Sequence, residues 1–141
     1  MKLKIFKPCN KNNIDLPLFL TSVQAGFPSP AEGDIEETLN LNELLIDHPA
    51  ATFFVRVEGS SMIDAQIHSG DVVIVDRSLT PADGQIVVAV LNGEFTLKRI
   101  RKKGARFYLV PENPDFPPIE VTSDMDFEVW GVVTYIIHKA R

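Results

Sequence analysis

Cysteine is nearly absent from this chain: one residue, Cys9, stands among 141. An internal disulfide is therefore impossible, no cysteine-rich metal site can form, and the expected setting is a reducing, cytoplasmic one. Long apolar runs are missing as well. The basic start Met1-Lys2-Leu3-Lys4-Ile5-Phe6-Lys7-Pro8 leads into no stretch of signal-peptide length. Nothing approaches the roughly 18 apolar residues of a membrane span, so no membrane association is expected. Positive charge is not in excess either: 14 Lys and Arg face 19 Asp and Glu, giving a net charge of −5. Such a surface suits duplex phosphates poorly, so no direct sequence-specific DNA binding is expected. The one basic run, Arg99-Ile100-Arg101-Lys102-Lys103, reads as a solvated hairpin end. The eight glycines are dispersed and form no phosphate loop. His48, His68 and His138 lie in turns or near the chain end, outside any Ser/His/Asp or metal-ligand spacing, and read as surface residues. No metal and no cofactor is implied.

What is present is a core and a strand pattern. Apolar residues make up 45% of the chain, enough for one domain. Residues 1 to 45 keep no sustained period of 2 or 3.6. With Pro17, Pro28, Pro30 and the acidic stretch from Glu32 to Glu37, they read as an extended N-terminal arm. Leu39 to Ile46 carries Leu41, Leu44 and Leu45 at helical spacing, with Pro49 beyond as a stop, which predicts a short helix. From residue 46 onward short β-branched and aromatic runs dominate: Thr52 to Val57, Val72 to Val75, Ile86 to Leu91, Glu94 to Lys98, Arg106 to Val110, Ile119 to Val121 and Phe127 to Ile137. Asn92-Gly93 between two of these runs predicts a type I′ hairpin, because both central residues of that turn need positive φ. The expected fold is all-β: a small, curved, barrel-like domain over 46–141 behind an arm over 1–45.

Two segments carry chemistry. Gly59-Ser60-Ser61-Met62 places serines where an apolar run stops, and Glu94-Phe95-Thr96-Leu97-Lys98-Arg99 places a lysine on a strand. A serine hydroxyl needs a base to become a useful nucleophile, and a lysine can be that base only when neutral. Burial between Leu97 and Ile100 disfavours the ammonium, and Arg99 and Arg101 add like charge. Met62 to Ile67 reads as a helical turn beginning at Ser61. The backbone N–H groups of Ser61 and Met62 are accordingly candidates for stabilising an oxyanion. Alone, each segment also fits an ordinary turn serine and an edge-strand lysine.

Over residues 17 to 137 these motifs resemble the LexA/UmuD family of self-cleaving serine/lysine proteins. The resemblance implies that the serine directly before methionine, Ser61 rather than Ser60, is the nucleophile and that Lys98 is its base. Relatives usually carry an acidic residue where this chain has Ser60. Val23-Gln24-Ala25-Gly26-Phe27-Pro28 resembles the family's cleavage site, which implies a cut between Ala25 and Gly26. Alanine fits a tight pocket, glycine permits an unusual backbone turn, and Val23 offers an apolar anchor upstream. Only 24 residues precede Gly26's partner Ala25, too few for the helix-turn-helix module of the repressor branch, so the likeness is to the UmuD-type mutagenesis branch. That branch implies a homodimer, self-cleavage promoted by the RecA filament on single-stranded DNA, and a processed product that joins an error-prone translesion polymerase of the UmuC type. Two other readings stay open on residues alone: a non-catalytic β-fold interaction module, and a soluble enzyme like a signal peptidase acting on other chains.

Overall fold

The structure is a computed structural model describing residues 2–8, 15–19 and 35–140. The chain divides into two compact units, Met1–Pro8 with His48–Arg141, and Cys9–Asp47.

The larger unit is built on eight antiparallel strands, seven of them at the short apolar runs read from the sequence. Its strands are β1 (Lys2–Phe6), β4 (Thr52–Glu58), β5 (Val72–Asp76), β6 (Ile86–Leu91), β7 (Glu94–Lys103), β8 (Arg106–Val110), β9 (Ile119–Val121) and β10 (Phe127–Ile137). They are ordered β1-β4-β5-β10-β6-β7-β8-β9. The sheet curls into a half-barrel, bringing β1 near β7. Period-2 alternation divides the core between the two faces. Val55, Val57, Val73, Val75, Val88 and Leu97 pack with Met62 and Ile67 on one side. On the other, Val87, Ala89, Val132, Ile100 and Leu109 pack together.

β6 and β7 form the Asn-Gly hairpin predicted from sequence. Leu91 pairs with Glu94, and the turn residues Asn92 and Gly93 have φ of 50° and 84°. β7 runs five residues further than the sequence suggests. The basic run is the solvated hairpin end read from the sequence: Arg99 to Lys103 pair with β8 from Val110 back to Arg106, and Arg101 to Lys103 are exposed. Apolar stems account for this: Lys102 lies over the Phe107 ring and Lys103 over Tyr108.

β1 arises in a stretch without strand periodicity. It pairs with β4, and the Lys7 ammonium donates to the carbonyls of Pro49, Ala50 and Thr52 just before β4 sets off. In the smaller unit β2 (Asp15–Phe19) pairs antiparallel with β3 (Ile35–Asn40), followed by helix α1 (Leu41–Leu45). α1 begins two residues later than predicted, because Leu39 and Asn40 complete β3. The Asn40 side chain caps it by accepting from the Asn42 amide.

Candidate active site

The turn after β4 positions the serine. Gly59, with φ of 119°, lets the chain leave the strand in a direction that L side chains resist. Met62 then enters the core with no exposed surface. Its burial fixes Ser61 through covalent adjacency: the core holds the methionine, and the serine beside it has little freedom. The expected helical start at Ser61 is not what forms. Ser61 and Met62 lie in a turn, and a single 3-10 turn follows over Ile63–Ala65, closed by Gln66 in the left-handed region. So short an element has little macrodipole to offer Ser61.

A second loop clamps this turn from outside. The Asn113 side-chain amide donates to the Ser60 carbonyl at 2.7 Å, and the Asp64 amide donates to the Glu112 carbonyl at 2.7 Å. The Glu112 amide approaches the Met62 sulfur at 3.4 Å. Glu112 is held in turn by its ion pair with Arg99, which also donates to the Gly84 carbonyl. Glu112 and Asn113 lie more than 50 residues from Ser60, and no local pattern in the sequence announces the contact.

Lys98 comes from the opposite side, in the middle of β7 and paired with Val87. Its ammonium nitrogen is 3.3 Å from Ser61 Oγ, with Lys98 8% and Ser61 4% exposed. Two further acceptors surround the nitrogen: Thr96 Oγ1 at 2.8 Å and the Leu97 carbonyl at 3.2 Å. Thr96 reaches it because residues i and i+2 of a strand share a face. That signal was present in the sequence but attached to no role.

Burial pushes the Lys98 pKa below the usual lysine value of 10.5. The like charge expected from Arg99 and Arg101 is not the cause. Arg99 alternates to the other face of β7 and is neutralised by Glu112. The arrangement suits a neutral amine: two N–H bonds are taken by Thr96 Oγ1 and the Leu97 carbonyl, leaving the lone pair for the Ser61 hydroxyl. Both side chains open onto a cleft of about 430 Å³, walled by Leu91, Phe116 and Ile119 and edged by Glu94. An apolar wall beside a polar pair suits an extended peptide with a small or aliphatic side chain.

The histidines lie elsewhere, against buried aspartates. His48 Nδ1 is 2.5 Å from Asp76, and His138 Nδ1 is 2.6 Å from Asp71, which His68 also approaches. Burial works against charge on both aspartates but is outweighed. At Asp71 the His68 amide and the His138 and His68 imidazoles do this; at Asp76 it is Ser78 and His48. Both carboxyls are held below the usual carboxylate range. Val23 and the predicted scissile pair, Ala25 and Gly26, lie outside the described residues. Among the described residues no helix is long and apolar enough to cross a membrane.

Comparison with known proteins agrees with the resemblance read from the motifs. Residues 17–134 match the Peptidase S24-like family. The chain is 47% identical over 137 residues to Protein MucA of Salmonella typhimurium, covering 96% of this chain and 93% of that protein. It is 47% identical over 125 residues to Protein SamA of Salmonella typhimurium strain LT2, covering 89% and 86%. LexA repressor 2 of Pseudomonas syringae pv. tomato is 40% identical over 126 residues, 89% of this chain and 61% of that repressor.

Proposed function

The chain belongs to the Peptidase S24-like family, and from that premise we propose that it is a self-cleaving serine endopeptidase of the DNA-damage response. Ser61 is its nucleophile and Lys98 its base. The observation that carries the reading is the 3.3 Å approach of Lys98 Nζ to Ser61 Oγ inside a site that disfavours the ammonium.

The substrate is the bond between Ala25 and Gly26 in the arm over 1–45, and the domain over 46–141 supplies the dyad. Neutral Lys98 takes the Ser61 proton as Oγ bonds to the Ala25 carbonyl carbon. The Ser61 and Met62 amides face the developing oxyanion. Collapse breaks the C–N bond, and the Lys98 ammonium gives its proton to the departing Gly26 amine. Lys98, neutral again, then takes a proton from water as the water oxygen bonds to the Ala25 ester carbon, and returns it to Ser61 Oγ as the ester C–O bond breaks. No cofactor takes part. A bond tethered to the enzyme has a high effective concentration, so a modest site can cut it while free peptides escape.

The wider role rests on family likeness. The protein is a cytoplasmic homodimer, its cleavage is promoted by the RecA filament on single-stranded DNA, and the product from Gly26 onward joins an error-prone polymerase of the UmuC type. Incubating the purified chain with and without that filament, and sequencing any new amino terminus, tests this. A fragment starting at Gly26 that forms faster with the filament is the expected result. A chain left whole under both conditions favours a non-catalytic interaction module, and turnover of added peptides without self-cleavage favours a signal-peptidase-like enzyme.

A further inference from the structure

Away from the cleft, the turn between the 3-10 element over Ile63–Ala65 and β5 meets the end of β10. There His68, Asp71 and His138 each direct a potential ligand atom into one space, all within 4.8 Å of one another. We propose that these three residues bind a divalent transition-metal ion of the zinc class.

Distances come first. Ligand atoms on a tetrahedral zinc ion, at bond lengths near 2.0–2.1 Å, stand about 3.3 Å apart. His138 Nδ1 is 2.6 Å from Asp71 Oδ1, and His68 Nδ1 is 3.8 Å from Asp71 Oδ2. The two values, to the two oxygens of one carboxylate, lie on either side of that separation, and no pair of the three ligand atoms is more than 4.8 Å apart. Both imidazoles are partly exposed and have room to move toward an ion beside the buried carboxylate. The two rings are neighbours, their centroids 5.0 Å apart and their planes tilted by 42°.

The second observation is an orphan. His68 Nδ1 is buried and has no hydrogen-bond partner. A buried polar atom without a partner ordinarily carries a cost, and a metal ion would satisfy it. The carboxylate is prepared for the same role. Asp71 is 3% exposed and ionised, and its Oδ2 accepts from the His68 amide at 2.9 Å, which fixes its orientation as an outer hydrogen bond fixes a metal ligand. Two imidazoles and one carboxylate suit zinc, cobalt, nickel or copper better than magnesium or calcium, which prefer oxygen alone.

The ion would join two separate parts of the sheet. The Asp71 carbonyl accepts from the Val57 amide, and the Gly70 amide donates to the Val57 carbonyl. Ser69 Oγ accepts from the Gly59 amide at 3.4 Å. A metal at His68, Asp71 and His138 therefore staples the end of β10 to the stretch that leads into the Ser60-Ser61 turn, independently of the reaction proposed there.

The full chain, titrated with Co²⁺ and then with Zn²⁺, provides the test through cobalt visible absorption and thermal unfolding. One Co²⁺ per chain, displaced by Zn²⁺ and accompanied by a rise in Tm, is expected. His68→Ala and His138→Ala should each weaken binding by at least about tenfold, and His48→Ala should leave it unchanged. His138→Gln keeps a hydrogen-bond donor for Asp71 without an imidazole, so its loss of binding separates ligation from folding. Absence of cobalt binding, or binding equally tight in His68→Ala and His138→Gln, would overturn the proposal.

Discussion

Lys98 Nζ stands 3.3 Å from Ser61 Oγ although 37 residues separate them in the chain. The Asn92-Gly93 hairpin and the turn after β4 bring them together, and each brings its residue already immobilised. Lys98 is fixed by Thr96 and the Leu97 carbonyl, Ser61 by the burial of Met62. On the proposed mechanism this geometry sets the rate, and the groups around the pair should matter in graded ways.

Thr96 is the first of these. Thr96→Val removes the acceptor of one Lys98 N–H and leaves a buried donor unpaired, a change of about 1–3 kcal/mol. If the cost falls on the reacting geometry, self-cleavage slows by roughly 5- to 150-fold. Thr96→Ser, which keeps the hydroxyl, should retain most of the rate. Gel quantification of fragment against time for both variants is the check.

Asn113 acts on the serine side. Its amide holds the Ser60 carbonyl from a loop that belongs to neither catalytic segment. Asn113→Ala should slow self-cleavage by about tenfold, the equivalent of one hydrogen bond, with little change in Tm because the side chain is only half-buried and its bond to Ser60 faces solvent. A fall in Tm that accounts for the lost rate would instead assign Asn113 to stability alone.

Acid stability follows from Asp71 and Asp76. Both carboxyls lie below their unfolded value of 3.8, so the stability they contribute is present above that value. It is lost as pH falls through the lower folded values, where the native state must take up protons. Asp76→Asn should cost about 1–3 kcal/mol at neutral pH and should flatten the acid limb of a Tm-against-pH curve measured from pH 6 to pH 2.

The hairpin gives a test of the fold. Gly93 occupies positive φ at the tip between β6 and β7, and a side chain there costs about 1–2 kcal/mol. Gly93→Val should lower stability by that amount in urea unfolding. Through the register of β7, it should also lower the rate by displacing Lys98 relative to Ser61.

Most of the sheet was legible in the sequence because its signals are local. Short β-branched and aromatic runs mark β4 to β6 and β8 to β10, and Asn92-Gly93 marks the turn that joins β6 to β7. β1 was not legible: Lys2-Leu3-Lys4-Ile5-Phe6 is basic and opens a stretch with no sustained period, and it forms a strand by pairing with β4. The arginines illustrate the same limit. Sequence proximity suggested that Arg99 and Arg101 depress the Lys98 pKa, yet alternation along β7 sends Arg99 to the other face and Glu112 neutralises it. Ser61 and Lys98 were identified through motif and family likeness. Their meeting, and the clamp by Glu112 and Asn113, depend on long-range packing that no spacing encodes.

The most direct measurement is the rate of self-cleavage of the purified chain as a function of pH, followed by intact mass, with Ser61→Ala and Lys98→Ala beside it. Burial lowers the Lys98 pKa, so the neutral amine gains population as pH rises. The rate should climb about tenfold per pH unit and level off below 10.5, the usual lysine value. Both variants should lose at least about 10³-fold of the rate. A rate independent of pH, or fragments that persist in Lys98→Ala, would contradict Lys98 as the base and with it the serine/lysine account.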